Sequence, residues 1–366
     1  MQADFFSPFV ISKVNVRPSM TFSKKPMRVT SVTRRTIIGS MAALPMLGLR
    51  SPAIAQQPDA ISVRVDFAPW GVHGALHLAQ AKGWIKDSNL VMDLQDGTGT
   101  LNTINLVAAG KVDVGLVQVG PMAVARANGL PVKSFAGYLR KGDLSVIVDA
   151  AKGPKTVKEL AGKKIVCFAN SPWAPFIDQY IKMIGLQKGT GADQVNAVMV
   201  SPAAMVSTFA SGDADGFFSL SEFGEPLVMD TRPGRSFLAA DAGIVFPSYG
   251  LVTTDDSLTK RKDALRRLSE TQTRAWTYIY ENPAHIDEAV AAIMAARADK
   301  QLKTEVLKAQ LVLSKDFLNT PNTQGKPNGW QSTDDWTLAI KSMTEAGLLK
   351  PGAKPDDFFT NDLIKS

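Results

Sequence analysis

The stretch VRVDFAPWGVHGALHLAQAKGW, Val63 to Trp84, decides how this chain is read. Val63, Val65 and Phe67 alternate as in a strand, Pro69-Trp70-Gly71 breaks the alternation, and Leu76, Ala79 and Gln80 follow helical spacing up to Gly83, a residue that stops helices. Strand, sharp loop and helix in that order form the first unit of an α/β sheet. The loop carries Asp66, Trp70 and His73. Polar and aromatic groups therefore collect beyond a strand's carboxyl end, where such sheets bind ligands.

The 366 residues suffice for two domains, and 45% apolar content suffices for their cores. A formal charge of +7 is concentrated at one end: residues 1–55 hold eight Lys/Arg and one acid, which leaves 33 of each sign in the rest. The body is neutral, so nothing in it predicts a nucleic-acid surface. Residues 1–55 read as an export leader. Thr33-Arg34-Arg35-Thr36-Ile37-Ile38 resembles a twin-arginine signal, Ile37–Leu49 is an apolar run of thirteen residues, and Ala53-Ile54-Ala55 is a small-x-small cleavage site. The run is too short, and too broken by Gly39, Pro45 and Gly48, to span a bilayer core of ~30 Å. Cleavage near Ala55 predicts a soluble periplasmic chain starting at Gln56. Met20 and Met27 are alternative starts for so long a leader. One cysteine, Cys167, excludes an internal disulfide and a cysteine-based metal site.

Strands and helices alternate through the first half and then do so again. Leu90–Leu94, Val112–Val119 and Pro131–Tyr138 read as strands with helices between them, then Lys164–Phe168, Ala197–Val200 and Ala214–Phe218 repeat the pattern. Alternation of this kind implies a mostly parallel sheet. Gly83 and Gly185, Gly110 and Gly212, and Asp113 and Asp215 are each 102 positions apart, and Phe67-Ala68-Pro69-Trp70 is echoed by Phe168 to Trp173. Two copies of one lobe predict a cleft between them. From Leu258 onward the pattern is helical, with a break at Glu281-Asn282-Pro283, a loop over Asn319–Ser332 and a final helix stopped by Gly347.

Asp66–Trp70, Val107–Asp113, Gly129–Val132, Leu160–Ile165, Gly212–Asp215 with Glu225-Pro226, Tyr280–Pro283 and Ala346–Leu349 together resemble the periplasmic substrate-binding proteins of ABC transporters for sulfonates, taurine, nitrate and thiamine pyrimidine precursors. The resemblance implies a two-lobed type II periplasmic binding fold, α/β throughout, with C-terminal helices packed on lobe 1. It implies two crossing strands, placed near Leu144–Asp149 and Gly243–Val252. Lobe 1 is then 56–146 together with 246–366, and lobe 2 is 147–245. It also implies a monomer that takes a small-molecule ligand to an ABC permease and its ATPase, with no cofactor. The enzyme branch of the same fold, the fungal pyrimidine-precursor synthase, carries a cysteine cluster where this chain has Cys167 alone. A ligand-sensing partner of a membrane receptor is the remaining alternative.

Ligand contacts are expected from loops that follow strands: Asp66, Phe67, Trp70, His73, Thr98, Thr100 and Gln118 from the first half, and Asn170, Ser171, Trp173, Ser201, Ser219, Glu222 and Glu225 from the second, with Tyr249 beside a crossing. Backbone N–H groups where Thr98 or Ser171 opens a helix suit a sulfonate, nitrate or carboxylate. The rings of Phe67, Trp70, Trp173, Phe217 and Tyr249 suit a flat ring whose amino group meets a carboxylate. No lysine or arginine lies in these loops, which favours the flat ring. Replacing Trp70 or Trp173 by Ala is expected to weaken binding with little effect on folding. His73 and His77 have i, i+4 spacing, but H-x-x-x-H lacks the Glu of a zinc protease and no metal is expected. Cys167 falls in an apolar strand, where thiols are inert, and no G-x-S-x-G turn occurs, so no catalytic residue is expected.

Overall fold

Ile61, Val63 and Val65 are buried at every second position of the first strand, as a period of two requires. A computed structural model of the chain describes residues 57–365, and the leader with its twin-arginine motif and cleavage site lies outside them. The chain lays down β1 (Asp59–Val65), β2 (Leu90–Gln95), β3 (Val114–Gln118) and β4 (Val132–Gly137). It then crosses to build β5 (Leu144–Asp149), β6 (Lys164–Cys167), β7 (Gln187–Lys188), β8 (Gln194–Met199), β9 (Gly216–Leu220) and β10 (Gly234–Leu238), and returns as β11 (Tyr249–Thr254). Two sheets result, ordered β2-β1-β3-β11-β4 and β10-β5-β9-β6-β8-β7.

The two sheets follow one plan. β1 runs parallel to β2 and β3, and β6 runs parallel to β8 and β9. Val63 faces Val114 in the first and Ile165 faces Gly216 in the second, residue for residue 102 apart. The aspartates noted in the sequence do the same work in both: Asp113 accepts a 2.7 Å hydrogen bond from the Ser62 N–H, and Asp215 a 2.9 Å bond from the Lys164 N–H. Gly83, Gly110, Gly185 and Gly212 all sit at positive φ behind helices.

Each sheet departs from the expected parallel arrangement at one strand. β11 is antiparallel to β3 and β4, and β5 is antiparallel to β9 and β10. In both cases the reversed strand is the one that has just arrived from the other lobe. The crossings accordingly lie slightly upstream of where the sequence placed them. Leu144–Asp149 is wholly a strand of the second sheet, so the outward crossing is Tyr138–Asp143. The return crossing is Ala239–Ser248, and Tyr249–Val252 already belongs to the first sheet. Runs of apolar residues look alike in a strand and in the segment that feeds it, which hides the boundary from the sequence. The two crossings are bonded to each other: Ser248 N–H donates to Leu139 O at 2.9 Å and Tyr138 N–H to Tyr249 O at 2.8 Å.

Lys262–Glu281 buries Leu265, Leu268, Trp276 and Ile279 along one stripe, and Asn282 caps the next helix, Pro283–Ala296, by accepting from Ala284 N–H at 3.0 Å. Both pack on the helix Gly74–Ala81 of the first lobe. The helix Thr304–Ser314 does more, since it also packs on Ser221–Val228 of the second lobe. Among the described residues no helix is long and apolar enough to cross a membrane.

Close backbone approach matters most at Gly97. Its N–H donates to Phe67 O at 3.0 Å, and a Cβ there would lie 2.2 Å from Val65 O and 2.4 Å from the Asp66 carbonyl carbon. Backbone cannot step aside as a flexible side chain can. Gly110, at φ +64, has nothing within 4 Å of an added Cβ, so alanine there costs only backbone strain of about 1 kcal/mol. Gly97→Ala is expected to lower the thermal unfolding midpoint clearly more than Gly110→Ala. Equal losses would refute the close approach.

Candidate functional site

The loops after β1 and β6 face each other across the gap between the sheets. They close a narrow slot whose cavity in this closed form is about 30 Å³. Lobe 1 contributes Asp66, Phe67, Trp70, Gly99, Thr100 and Tyr249, and lobe 2 contributes Phe168, Ser171, Trp173, Ser219 and Phe223 among others. Seven of the lining side chains are aromatic and none is Lys or Arg. The lobes touch: Phe67 packs against Phe168 with ring centroids 5.4 Å apart, and Leu101 N–H donates to Asn170 O at 3.4 Å.

Asp66 organises the lobe 1 wall. Its Oδ1 accepts from His73 Nε2 at 2.9 Å and Trp70 Nε1 at 3.4 Å, and its Oδ2 accepts from Thr100 Oγ1 at 3.3 Å and the Tyr249 hydroxyl. Trp70 N–H points at His73 Nδ1, so the ring hydrogen sits on Nε2 and donates to Asp66. The hydroxyl of Tyr249 stays protonated because burial, then the charges of Asp66 and Asp143, push its pKa well up. Four donors occupy the sites a carboxylate offers. Asp66 is therefore already engaged with the protein and keeps no open acceptor site for the amino group of a flat ring.

Behind the slot, at the crossings, lies a second acidic group. Asp143 is fully buried and accepts from Gln118 Nε2 at 2.8 and 3.0 Å and from Ser248 Oγ. Glu222, equally buried, meets it with Oε1 unpartnered. Burial first, then the adjacent Asp143, raises the Glu222 carboxyl well above the usual range. Burial raises Asp143 also, while donors from Glu222, Ser248 and Gln118 draw it back. Glu222 thus keeps the proton and donates it to Asp143, since two buried carboxylates in contact cannot both ionise.

The structure gathers Asp66, Phe67, Trp70, Thr100, Ser171, Trp173, Ser219 and Tyr249 around the slot and leaves the other sequence candidates outside it. His73 is fully buried behind Asp66 and acts by holding it. Gln118 and Glu222 lie in the acidic group at the crossings. Glu225 sits half-buried in the middle of Ser221–Val228, beside an in-helix Pro226, and reaches no wall of the slot. Thr98 is exposed: the helix opens at Thr100 with Gly99 before it, and Gly99 N–H is taken by Asp66 O at 2.7 Å. Ser171 opens no helix either, because the next one starts at Ile177, and its hydroxyl lies 3.1 Å from Cys167 Sγ. Burial pushes the Cys167 thiol up to about 11. Burial first, then nearby His73, lowers His77 to about 3.

Trp70 and Trp173 serve both wall and core. They are 2% and 0% exposed, Trp173 Nε1 donates to Ser219 O at 2.6 Å, and its ring packs on Tyr180 and Phe218. Truncating such a ring costs ~3–5 kcal/mol, so replacement by Ala harms folding as well, contrary to the sequence expectation. Phe168, Met205, Phe218 and Phe223 were missed as wall residues. Phe168 echoed Phe67 at an offset near 102, and that was the one signal available. Met205 and Phe223 lie in first turns of helices, where apolar residues look like ordinary core.

Two sheets of one plan, paired crossings and a slot between lobes define the class: a two-lobed α/β protein of the periplasmic binding fold. A family model described as NMT1/THI5 like matches residues 70–286, and the chain belongs to that family. It is 25% identical over 342 residues to a Brucella abortus binding protein, covering 90% of this chain and 98% of that one. It is 22% identical to the formylaminopyrimidine-binding protein of Halalkalibacterium halodurans, over 83% of this chain and 90% of that one. A yeast 4-amino-5-hydroxymethyl-2-methylpyrimidine phosphate synthase is 32% identical, but over only 29% of this chain and 32% of its own. The fold is that of the alkanesulfonate-binding protein SsuA of Xanthomonas axonopodis, with a TM-score of 0.62, 14% identity and coverage of 84% and 99%.

The proton held by Glu222 has a measurable consequence. Below a pH of about 4.3 folded and unfolded chains both carry it; above that the unfolded chain releases it and the folded chain does not. Stability therefore falls as pH rises towards the raised folded value, by about 1.4 kcal/mol per pH unit for one retained proton. Glu222→Gln keeps a donor to Asp143 and removes the proton. Urea unfolding at a series of pH values is expected to show a flatter profile for the variant between roughly pH 5 and 7. Parallel profiles would remove Glu222 as the holder.

Proposed function

We propose that the slot captures a small, flat, uncharged solute, of the aminopyrimidine class, and that the closed form delivers it to a membrane permease driven by a separate ATPase. The observation that carries this reading is the lining: seven aromatic rings, no cation, and a carboxylate whose acceptor sites are already filled. Flat rings gain from stacked and edge-on contact with such walls. A sulfonate or nitrate would have to leave water for a site without Lys or Arg, and an unpaired buried anion is expensive. Ser219 Oγ, buried and without a partner, suits a ring nitrogen or amino group. The relative that binds formylaminopyrimidine supports the same class.

Ligand bridging the two lobes shifts an open–closed equilibrium towards the closed form, which is what a permease would read. The enzyme alternative draws on the partial similarity to the yeast synthase. Here a buried thiol held protonated and a histidine locked to Asp66 offer no free nucleophile or base. Isothermal titration against 4-amino-2-methylpyrimidines, alkanesulfonates, nitrate and aromatic acids is the direct test. One-to-one binding of an aminopyrimidine at least about 100-fold tighter than any sulfonate, nitrate or aromatic acid, with the compound recovered unchanged, is expected. Preference for a sulfonate or nitrate, or appearance of a product, would overturn the reading.

Capture outside the cytosol rests on the leader. Export through the twin-arginine motif is expected to yield a mature chain beginning at Gln56, and Arg34→Lys with Arg35→Lys together to leave the precursor in the cytoplasm. N-terminal sequencing of periplasmic and cytoplasmic fractions checks both. An intact residue 1 outside the cytoplasm would reject the leader.

A further inference from the structure

Phe223 stands where three spaces meet. Its ring lines the closed slot, an apolar groove at the mouth walled by Ala68, Pro69, Met205 and Leu227, and a third hollow walled by Leu302 and Val306. It is set edge-on to Phe67 at 6.0 Å between centroids and to Trp70 at 5.1 Å, so the ring fills the gap between the two lobe 1 aromatics. We propose that Phe223 is the specificity-determining partition of the binding site, excluding ligands that carry a long apolar chain.

The position of the partition is held from lobe 1. Gln310 is a buried lobe 1 amide with both ends used: Oε1 accepts from Gly71 N–H at 2.9 Å within lobe 1, and Nε2 donates across the interface to Phe223 O at 3.1 Å. A Cβ on Gly71 would come within 2.6 Å of Gln310 Cβ, so the helix Thr304–Ser314 and the Trp70 loop are in contact at this point. The backbone of Phe223 is therefore tied through Gln310 to the loop that supplies Trp70, which holds the residue at the partition while the lobes are closed. Beyond it the mouth groove is apolar, so removing the ring joins the slot to a channel that accepts a hydrocarbon chain. Replacing Phe223 changes how long a ligand fits and leaves the inner walls, Asp66 with Tyr249 and Trp173, as they are.

The inference rests on the slot being the ligand site, and the probe is chosen so that it does not depend on pyrimidine recognition. Toluene to hexylbenzene form a series with a flat ring and a growing apolar tail, titrated against wild type, Phe223→Ala, Phe223→Leu and Gln310→Ala and read by calorimetry. Phe223→Ala is expected to raise the ratio of hexylbenzene to toluene affinity at least about tenfold over wild type, whatever the loss of the ring does to toluene itself. Phe223→Leu should fall between, and serves if the alanine variant folds poorly. Gln310→Ala, with the ring retained but its anchor gone, should relax the length limit in the same direction. The same length dependence in wild type and variants, or equal loss of every member of the series, overturns the partition. Failure of aminopyrimidines to bind while the alkylbenzene limit moves as stated would overturn the proposed ligand class alone.

Discussion

The lobe 1 wall depends on one buried carboxylate and the four donors that surround it. An ionised group taken out of water is tolerated only when its acceptor sites are filled, and Asp66 achieves this with Trp70, His73, Thr100 and Tyr249. These donors come from three separate places in the chain: the loop after β1, the helix that opens at Thr100, and β11 returning from the other lobe. Satisfying one charge thus fixes the positions of two aromatic walls and a hydroxyl. The same arrangement uses the carboxylate up, which is why the slot presents rings rather than charge.

Duplication explains the frame but not the chemistry. The two sheets match at an offset of 102 residues in pairing, in the aspartates that receive the β1 and β6 backbone, and in the antiparallel insertion of the crossing strand. At that offset Asp66 corresponds to Phe168. One lobe therefore puts a hydrogen-bonded hub at the cleft where the other puts a bare ring, and Phe67 rests on that ring. The acidic pair of Asp143 and Glu222 is unmatched in the same way, since position 222 corresponds to Gly120, against whose missing Cβ the ring of Phe246 packs. Closure brings together two similar surfaces whose side chains have diverged.

Much of the site was legible because loops after strands are where such sheets place functional groups, and eight of the candidates do face the slot. His73, Gln118 and Glu222 were recognisable as polar residues in the right loops, yet they serve Asp66 and Asp143 from behind. A side chain one layer back has the same composition and spacing as one at the surface, so pattern alone does not separate them. Phe223 and Met205 escaped for the opposite reason. An apolar residue in the first turn of a helix looks like core until a gap is found beside it.

By itself the sequence determined the alternation of strands and helices, the doubled lobe and the neutral, cysteine-poor body, because periodicity and composition act locally and survive without the fold. Which strand is reversed in each sheet, where the chain changes lobes, which carboxyl keeps a proton and how Asp66 spends its acceptor sites were decided only by tertiary structure. Those properties depend on groups distant in the chain, such as Asp66 with Tyr249 and Asp143 with Glu222, meeting in a place without water, and no local pattern encodes that meeting.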